Sequence, residues 1–537
     1  MAASLSSMKT AMYRHENGLK HINIINNEGF SALFVVKTPI FDNSGVAHGV
    51  EHGVFRRSSS FPQPETLFQL TSLTDAKINA STFADSTYFH CHSQCADTFN
   101  LAIEYLLNGL FTPIFDKKYL SCEVYDGDSK DKAKGVIYRE LIGIEQASKA
   151  SAKSDESDNS ENSEENDTKE EFNYGGVSST IGELTLKELT AFHQRFYQAS
   201  NMTLITANTD IVKVSRLISL LPVPTVREKT SQAESLKNQP IAQIKNATDI
   251  NDNETERYQA KYSPAINTLI NAYYLTLQTP NHLHVDNYTS LEDVALETMA
   301  KAQAKADNAG LIAPLVSLSD KYLEAANNEQ KIDIGDKAKA NTKTASQTLL
   351  PKLFNALCLE AKERFELNDV PGKNLNRVEL CEEELRKKEL RKRELSQSKH
   401  KIKNLEAVSV CNQHNALWLR KISSAEHAIA NIASYIVSAY PAFLARRCEG
   451  LCYATQALTI ENSTYFAVYS AFDVAPDEQL NTITPCLLAL GEDKGFIRAS
   501  LALAKRKYCR VHQVNSSNIK DISQKDISAY LQRMAGN

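Results

Sequence analysis

The chain has 537 residues, of which 42% are hydrophobic, 23% charged and 8% aromatic, with 19 Gly and 15 Pro. That length allows about three or four units at roughly 150 residues each, and the composition excludes collagen-like, wholly disordered and disulfide-scaffold chains. The net charge of −5 is local in origin, because Ser154–Glu171 holds nine acidic residues against one Lys and the remainder is +3. A near-neutral remainder shows neither a nucleic-acid footprint nor a membrane-binding face. No apolar run reaches the length of a membrane span, Met1–His21 lacks the apolar core of a secretory signal, and the ten Cys are scattered. The expectation is a soluble, cytoplasmic chain with reduced thiols.

In chain order, Ser31-Ala-Leu-Phe-Val-Val-Lys37 reads as a strand stopped near Pro39, which cannot donate to a central ladder. Val46–Phe55 and Glu65–Leu73 are helix-compatible. Lys77–Phe83 and Ser86–His92 read as two short strands about an Ala-Asp turn, and Thr98–Leu110 has helical apolar spacing. Ser148–Glu171 cannot bury enough apolar area to offset its ordering entropy and reads as a disordered surface loop. Leu184–Tyr197 predicts a helix with Thr185 and Glu188 as a capping box, and Met202–Ala207 predicts a strand. Strands and helices intermix, so the fold class is α+β.

Thr225–Lys261 is polar and reads as a linker, Asn267–Gln278 offers a strand, and Ser290 to about Lys362 is helical with breaks. The mixed charge of Val378–Lys403 predicts a solvated helix laced with ion pairs. Past Trp418 come an apolar helix, Ala425–Arg447, kinked near Pro441, and strands at Tyr453–Ile460 and Ser463–Phe472. The domain plan is a first domain over 1–224 with its acidic loop at 148–171, a linker over 225–262, a second domain from 263–295 and 415–537, and a charged helical insertion over 296–414.

His48-Gly49-Val50-Glu51-His52 is the first feature able to do chemistry. On a helix, residues four apart share a face, so two imidazoles meet one metal ion with Glu51 beside them. Such a pair suits zinc, a third protein ligand leaves one position for water, and bound zinc brings that water's pKa to about 7. A carboxylate that is not a ligand then takes its proton. His90-Cys91-His92 with Cys95 competes for a metal, but strand alternation sends Cys91 to the opposite face, and this cluster reads as strand packing.

The order H-x-x-E-H is the inverzincin arrangement. Here it sits in Ser44–Phe55, followed by Phe61-Pro62, Asn79-Ala-Ser-Thr82, Gly135-Val-Ile-Tyr-Arg-Glu140 and Leu184–Tyr197. This set resembles the pitrilysin/insulinase family of zinc metallopeptidases, and the Gly135–Glu140 and Ala191–Tyr197 strings look most like its presequence-protease branch. The resemblance implies two α/β sandwich domains of metallopeptidase type, one zinc per chain held by His48, His52 and Glu140, and Glu51 as general base. It implies that Asn79, Ala80 and Ser81 form an edge strand along which a substrate peptide lies extended. Phe443–Ala454 resembles the family's Arg…Gly-Leu-x-Tyr element, which implies Tyr453 and either Arg446 or Arg447 as donors to the substrate carbonyl.

Members of the presequence-protease branch carry four related domains in a chain of roughly twice this length, whereas one zinc-type and one Arg/Tyr-type domain are found here. Two alternatives follow. The chain resembles the two-domain branch, in which a homodimer or partner subunit closes a peptide chamber, or its middle domains are replaced by the charged insertion. The expected function is a zinc metallopeptidase acting on peptides or short unfolded polypeptides. The alternative is a non-catalytic peptide-binding or structural member, or a subunit that needs a partner chain.

Overall fold

The computed structural model describes residues 10–127, 133–155, 173–219 and 407–536, apart from positions 16, 26–28, 412–413 and 461–463, together with parts of 263–270 and 354–361. The fold is α+β and is built as two sheet-and-helix units.

The first unit contains β1 (Thr10–Arg14), β2 (Lys20–Ile24), β3 (Phe30–Lys37), α1 (Val46–Arg56), α2 (Thr66–Leu73), β4 (Lys77–Thr82), β5 (Ser86–Ser93) and α3 (Ala96–Phe111). It continues through α4 (Lys117–Tyr119), a π-helical turn at Leu120–Val124, α5 (Val136–Asp155), α6 (Leu186–Phe196), β6 (Met202–Ala207) and α7 (Ile211–Ser219). The sheet order is β1-β2-β6-β3-β5-β4, with β2 and β6 parallel and every other pair antiparallel. β3 is apolar without alternation because both of its faces are covered. Ala32, Phe34 and Val36 enter the main core with Val50, Val54 and Leu106, while Leu33 and Val35 pack with Ile266, Leu269 and Ile270 on the other face. The capping box of α6 forms as its sequence predicts, with the Thr185 side chain accepting from Glu188 N–H and the Glu188 carboxylate accepting from Thr185 N–H.

The second unit has a four-stranded antiparallel sheet, β7 (Ala407–Cys411), β8 (Ala416–Lys421), β9 (Ala454–Ile460) and β10 (Tyr465–Ala471), in the order β7-β8-β10-β9. Its helices are α8 (His427–Ala439), α9 (Pro441–Cys448), α10 (Pro476–Glu492), α11 (Lys494–His512) and α12 (Gln524–Met534). Pro441 opens α9, and the chain bends by 49° between α8 and α9. Among the described residues no single helix is long and apolar enough to cross a membrane. One core cluster runs through both units, joining Val50 and Phe89 of the first to Ile436, Phe466 and Leu531 of the second.

Several expectations change. The segment read as loop from Ser148 is helical as far as Asp155, as the end of α5, and 156–172 lies outside the described residues. Residues 268–270 are helical, not a strand, and their apolar side chains cover the first unit's sheet, because the far faces of Leu33 and Val35 need a partner. Ala407–Cys411, placed in the helical insertion, is an edge strand whose Val408 and Val410 pack with Leu417 and Leu419. The linker at 225–262 and the charged stretch Val378–Lys403 lie outside the described residues.

Candidate metal centre

The site begins where α1 begins. Gly45, with φ of 74°, precedes the helix, and a Cβ on Gly176, itself at φ 83°, would lie 2.6 Å from the Gly45 Cα. Two glycines let the 175–176 segment cross the start of α1. That crossing sets the Gly175 carbonyl 2.9 Å from His48 Nδ1. A carbonyl only accepts, so Nδ1 carries the proton and Nε2 presents a lone pair.

His52 lies one turn on, and its Nδ1 is 3.2 Å from Glu123 Oε1 on the π-helical turn. Burial alone would raise the Glu123 pKa, but Arg447 and Arg56 together with His52 hold it well below the usual carboxylate range. Glu123 is therefore an acceptor, His52 Nδ1 donates, and its Nε2 also faces inward with a lone pair. Arg56 Nη1 donates to Glu123 Oε2, and Arg447 donates from Nη2 at 3.0 Å to Oε1 and from Nη1 at 3.3 Å to Oε2.

α5 supplies Glu140, whose Oε2 stands 3.5 Å from both inward-facing nitrogens. That oxygen is buried with no hydrogen-bond partner. Three ligand-type atoms thus converge, all within 4.8 Å of one another, an arrangement that a metal ion, or a proton on one of the two imidazoles, reconciles. The local field agrees in sign. Burial opposes charge on His52, yet Glu123 and Glu140 raise its pKa to about 9. Against the same burial and against the neighbouring His52, Glu140 and Glu51 raise the pKa of His48. Two imidazoles and a carboxylate with their outer nitrogens tied down suit zinc. Among the described residues this is the one such cluster, and His90, Cys91 and His92 form none.

The other predicted residues fall into two groups. Glu51, next to His52 on α1, is buried, and its Oε2 accepts a hydrogen bond from Thr82 Oγ1 at the end of β4. Tyr453 reaches in from the second unit, where the charge of Glu140, then burial and a hydrogen bond to that carboxylate, raise its pKa far above the ordinary tyrosine value. Asn79, Ala80 and Ser81 lie on β4, one of the two edge strands of the sheet among the described residues. Arg447 sits at the cluster's margin, committed to Glu123. Arg446, one residue earlier, turns away to Asp473 at 2.5 Å and to the Ala475 carbonyl at 3.3 Å.

Sequence reasoning missed Glu123, Arg56 and Gly175. A carboxylate between Cys122 and Val124 is a faint signal, and the turn Asn173-Tyr-Gly-Gly176 is ordinary loop composition. The units meet around these residues. Arg56 Nη2 donates to the Cys448 carbonyl at 2.5 Å, Gly135 N–H to the Gly450 carbonyl at 2.8 Å, and Arg139 Nε to the Phe472 carbonyl at 2.9 Å. Gly450, at φ 78°, passes so close to the Cys122 carbonyl that a Cβ there would clash.

Residues 41–142, which include His48, Glu51, His52, Asn79–Ser81, Glu123 and Glu140, match the family model described as Insulinase (Peptidase family M16). The chain is 28% identical over 233 residues to an uncharacterized protein of Borreliella burgdorferi, across 42% of this chain and 24% of that protein. It is 23% identical over 391 residues to presequence protease 1, chloroplastic/mitochondrial, of Arabidopsis thaliana, across 69% of this chain and 34% of the relative. The solved structure of the periplasmic protease PqqL from Escherichia coli aligns at a TM-score of 0.29 and 12% identity, over 98% of this chain and 46% of that one. The chain spans about a quarter to a third of the length of these two curated relatives.

Proposed function

We propose that the chain, whose residues 41–142 match the family model described as Insulinase (Peptidase family M16), is a zinc-dependent peptidase acting on peptides or short unfolded polypeptides. The observation that carries this reading is the convergence of His48 Nε2, His52 Nε2 and the unpartnered Glu140 Oε2. His48, His52 and Glu140 would hold the zinc, which would supply Lewis-acid polarisation and a more acidic water. Everything else falls to the chain's own side chains.

Glu51 is the general base: its Oε2, oriented by Thr82 Oγ1, receives a proton from the attacking water and returns it to the leaving amine. β4 holds the substrate backbone. The Ala80 N–H donates to Asn79 Oδ1 at 2.9 Å and its carbonyl accepts from Ser81 Oγ at 2.7 Å, so both groups are exchangeable for an incoming strand. Tyr453 is the donor to the developing oxyanion, a role worth about 3–4 kcal/mol in comparable sites. Arg447 serves as a positioning residue, because both of its donor nitrogens act on Glu123 and through it on His52. Arg446 has no part in the chemistry on this reading.

One other reading is a peptide-binding subunit that needs a partner or a second copy to close a chamber around the substrate. One experiment separates the two. Metal content of the purified chain is measured by elemental analysis beside hydrolysis of a quenched peptide, with and without chelator. About one zinc per chain and chelator-sensitive cleavage by the isolated chain support the peptidase. Zinc without cleavage supports the partner-requiring reading, and absence of zinc from a folded chain refutes the metal assignment.

A further inference from the structure

A cavity of about 520 Å³ lies away from the metal cluster, between α2, α8, β9 and α11. Among the described residues its lining has one lysine and two histidines and no Asp or Glu. Lys507 is nearly buried, and its Nζ donates to the carbonyls of Thr71 at 2.8 Å and Ser72 at 2.9 Å over the ring of Tyr435. An ammonium has three protons, so one remains for a ligand. Asp75, the acid acting on Lys507, is already paired with Arg510 at 3.0 Å. His512, from the same helix, has its Nε2 buried with no hydrogen-bond partner, and the His427 ring stands edge-on to it at 5.3 Å.

Carbonyl dipoles orient a cation without neutralising it, and a cavity with an ammonium, two imidazoles able to place a proton on either nitrogen, and no acid favours negative charge. We propose that this cavity binds an oxyanion, a carboxylate or phosphate group seated between Lys507 Nζ and His512 Nε2. Thr71 lines this cavity and also a groove of about 500 Å³ along Lys77, Asn79 and Ser81 of β4. The oxyanion therefore has two sources: a free small anion, or the C-terminal carboxylate of a peptide lying along β4. The second source rests on the peptidase reading, whereas the anion site itself does not.

Lys507 also caps the C-terminal carbonyls of α2, so its replacement would confound binding with stability. Val511 lines the cavity and is 56% exposed, which makes Val511→Glu a mild way to place an acid at the rim. Isothermal titration uses the full chain carrying Glu51→Gln, so that no peptide is consumed. The probes are inorganic phosphate and one short peptide with either a free or an amidated C-terminus. Saturable phosphate binding, weakened about tenfold or more by Val511→Glu and by His512→Gln, is expected. A free-acid peptide that binds about tenfold tighter than its amide, with the difference erased by Val511→Glu, identifies the peptide end as the source. Phosphate binding with no acid–amide difference identifies a free small anion. The proposal is overturned if no probe binds, or if Val511→Glu and His512→Gln leave the binding unchanged. Anion binding in a chain that fails to hydrolyse peptides would leave this site standing while removing the peptidase.

Discussion

In the first unit α1 runs beside the edge strand β4 and brings Glu51 to Thr82, whereas in the second unit α8 runs beside the edge strand β9 and brings Ser438 to Ala457. The Ser438 hydroxyl donates to the Ala457 carbonyl and accepts from its N–H, both at 2.9 Å, so the edge is closed by a group anchored on a buried helix. At β4 the corresponding groups of Ala80 are held only by the side chains of its sequence neighbours. Those side chains belong to the strand itself rather than to a packed helix. Exposed edges invite pairing with other chains, and the two units answer that hazard differently. One edge is held by a packed helix, and the other is covered only by its own side chains, next to the His48–His52–Glu140 cluster.

The largest expected effect tests the catalytic half of that contrast. Glu51→Gln should retain zinc while peptide hydrolysis falls by about 10²–10⁴-fold, and undiminished turnover would remove Glu51 as the base. Next comes the junction on which the metal cluster depends. Glu123→Gln leaves Arg56 and Arg447 buried opposite a neutral group and should cost about 3–5 kcal/mol in denaturant unfolding. Zinc affinity, read by chelator competition, should drop about 10–100-fold in the same variant, and an unchanged affinity would detach Glu123 from the metal site.

Acid should separate the two sheets. Burial, with help from His15, lowers the His21 pKa to about 3, and its Nε2 is bonded to Thr206 Oγ1 at 2.8 Å inside the six-stranded sheet. The four strands of the second unit contain no histidine. The unfolded chain binds a proton at His21 near the ordinary histidine value of 6.5, and the folded chain does so only near 3. The stability contributed by neutral His21 is thus present above about pH 6.5 and lost as pH falls toward 3, at about 1.4 kcal/mol per pH unit. Unfolding of His21→Gln measured at pH 7 and pH 5 should show a shallower loss than the parent, and equal slopes would refute the assignment. The smallest effect belongs to the sealed edge, where Ser438→Ala should cost about 1–2 kcal/mol and leave hydrolysis untouched. A loss of hydrolysis in Ser438→Ala would mean that the two edges are not independent.

The sequence is most readable where the physics is local. Helical spacing marks His48, Glu51 and His52, the Ala-Asp turn marks the boundary between β4 and β5, and the Thr185–Glu188 box falls on its predicted residues, because each depends on neighbours within a few positions. Glu140 could be placed only through family resemblance, since a helical carboxylate looks alike whether solvated or ligating. Glu123 was not readable at all: its partners Arg56 and Arg447 lie 67 and 324 positions away, and no local pattern encodes such a pairing. The same distance hid the role of 265–270, whose apolar residues read equally well as strand or helix until the far face of β3 is known. The different surroundings of Arg446 and Arg447 were likewise hidden, since Asp473 pairs with the first and Glu123 with the second.

The close pass of Gly450 over the Cys122 carbonyl also furnishes a native gauge of breathing between the units. Cys122 and Cys448 are free thiols at that junction, each buried, and burial with the nearby Glu65 pushes the Cys448 thiol up to about 12. A thiol so disfavoured as thiolate and so shielded reacts only when the halves part. Its alkylation rate therefore counts openings of the closed protein, and a bound peptide that bridges the units would register as a slower count with no residue substituted.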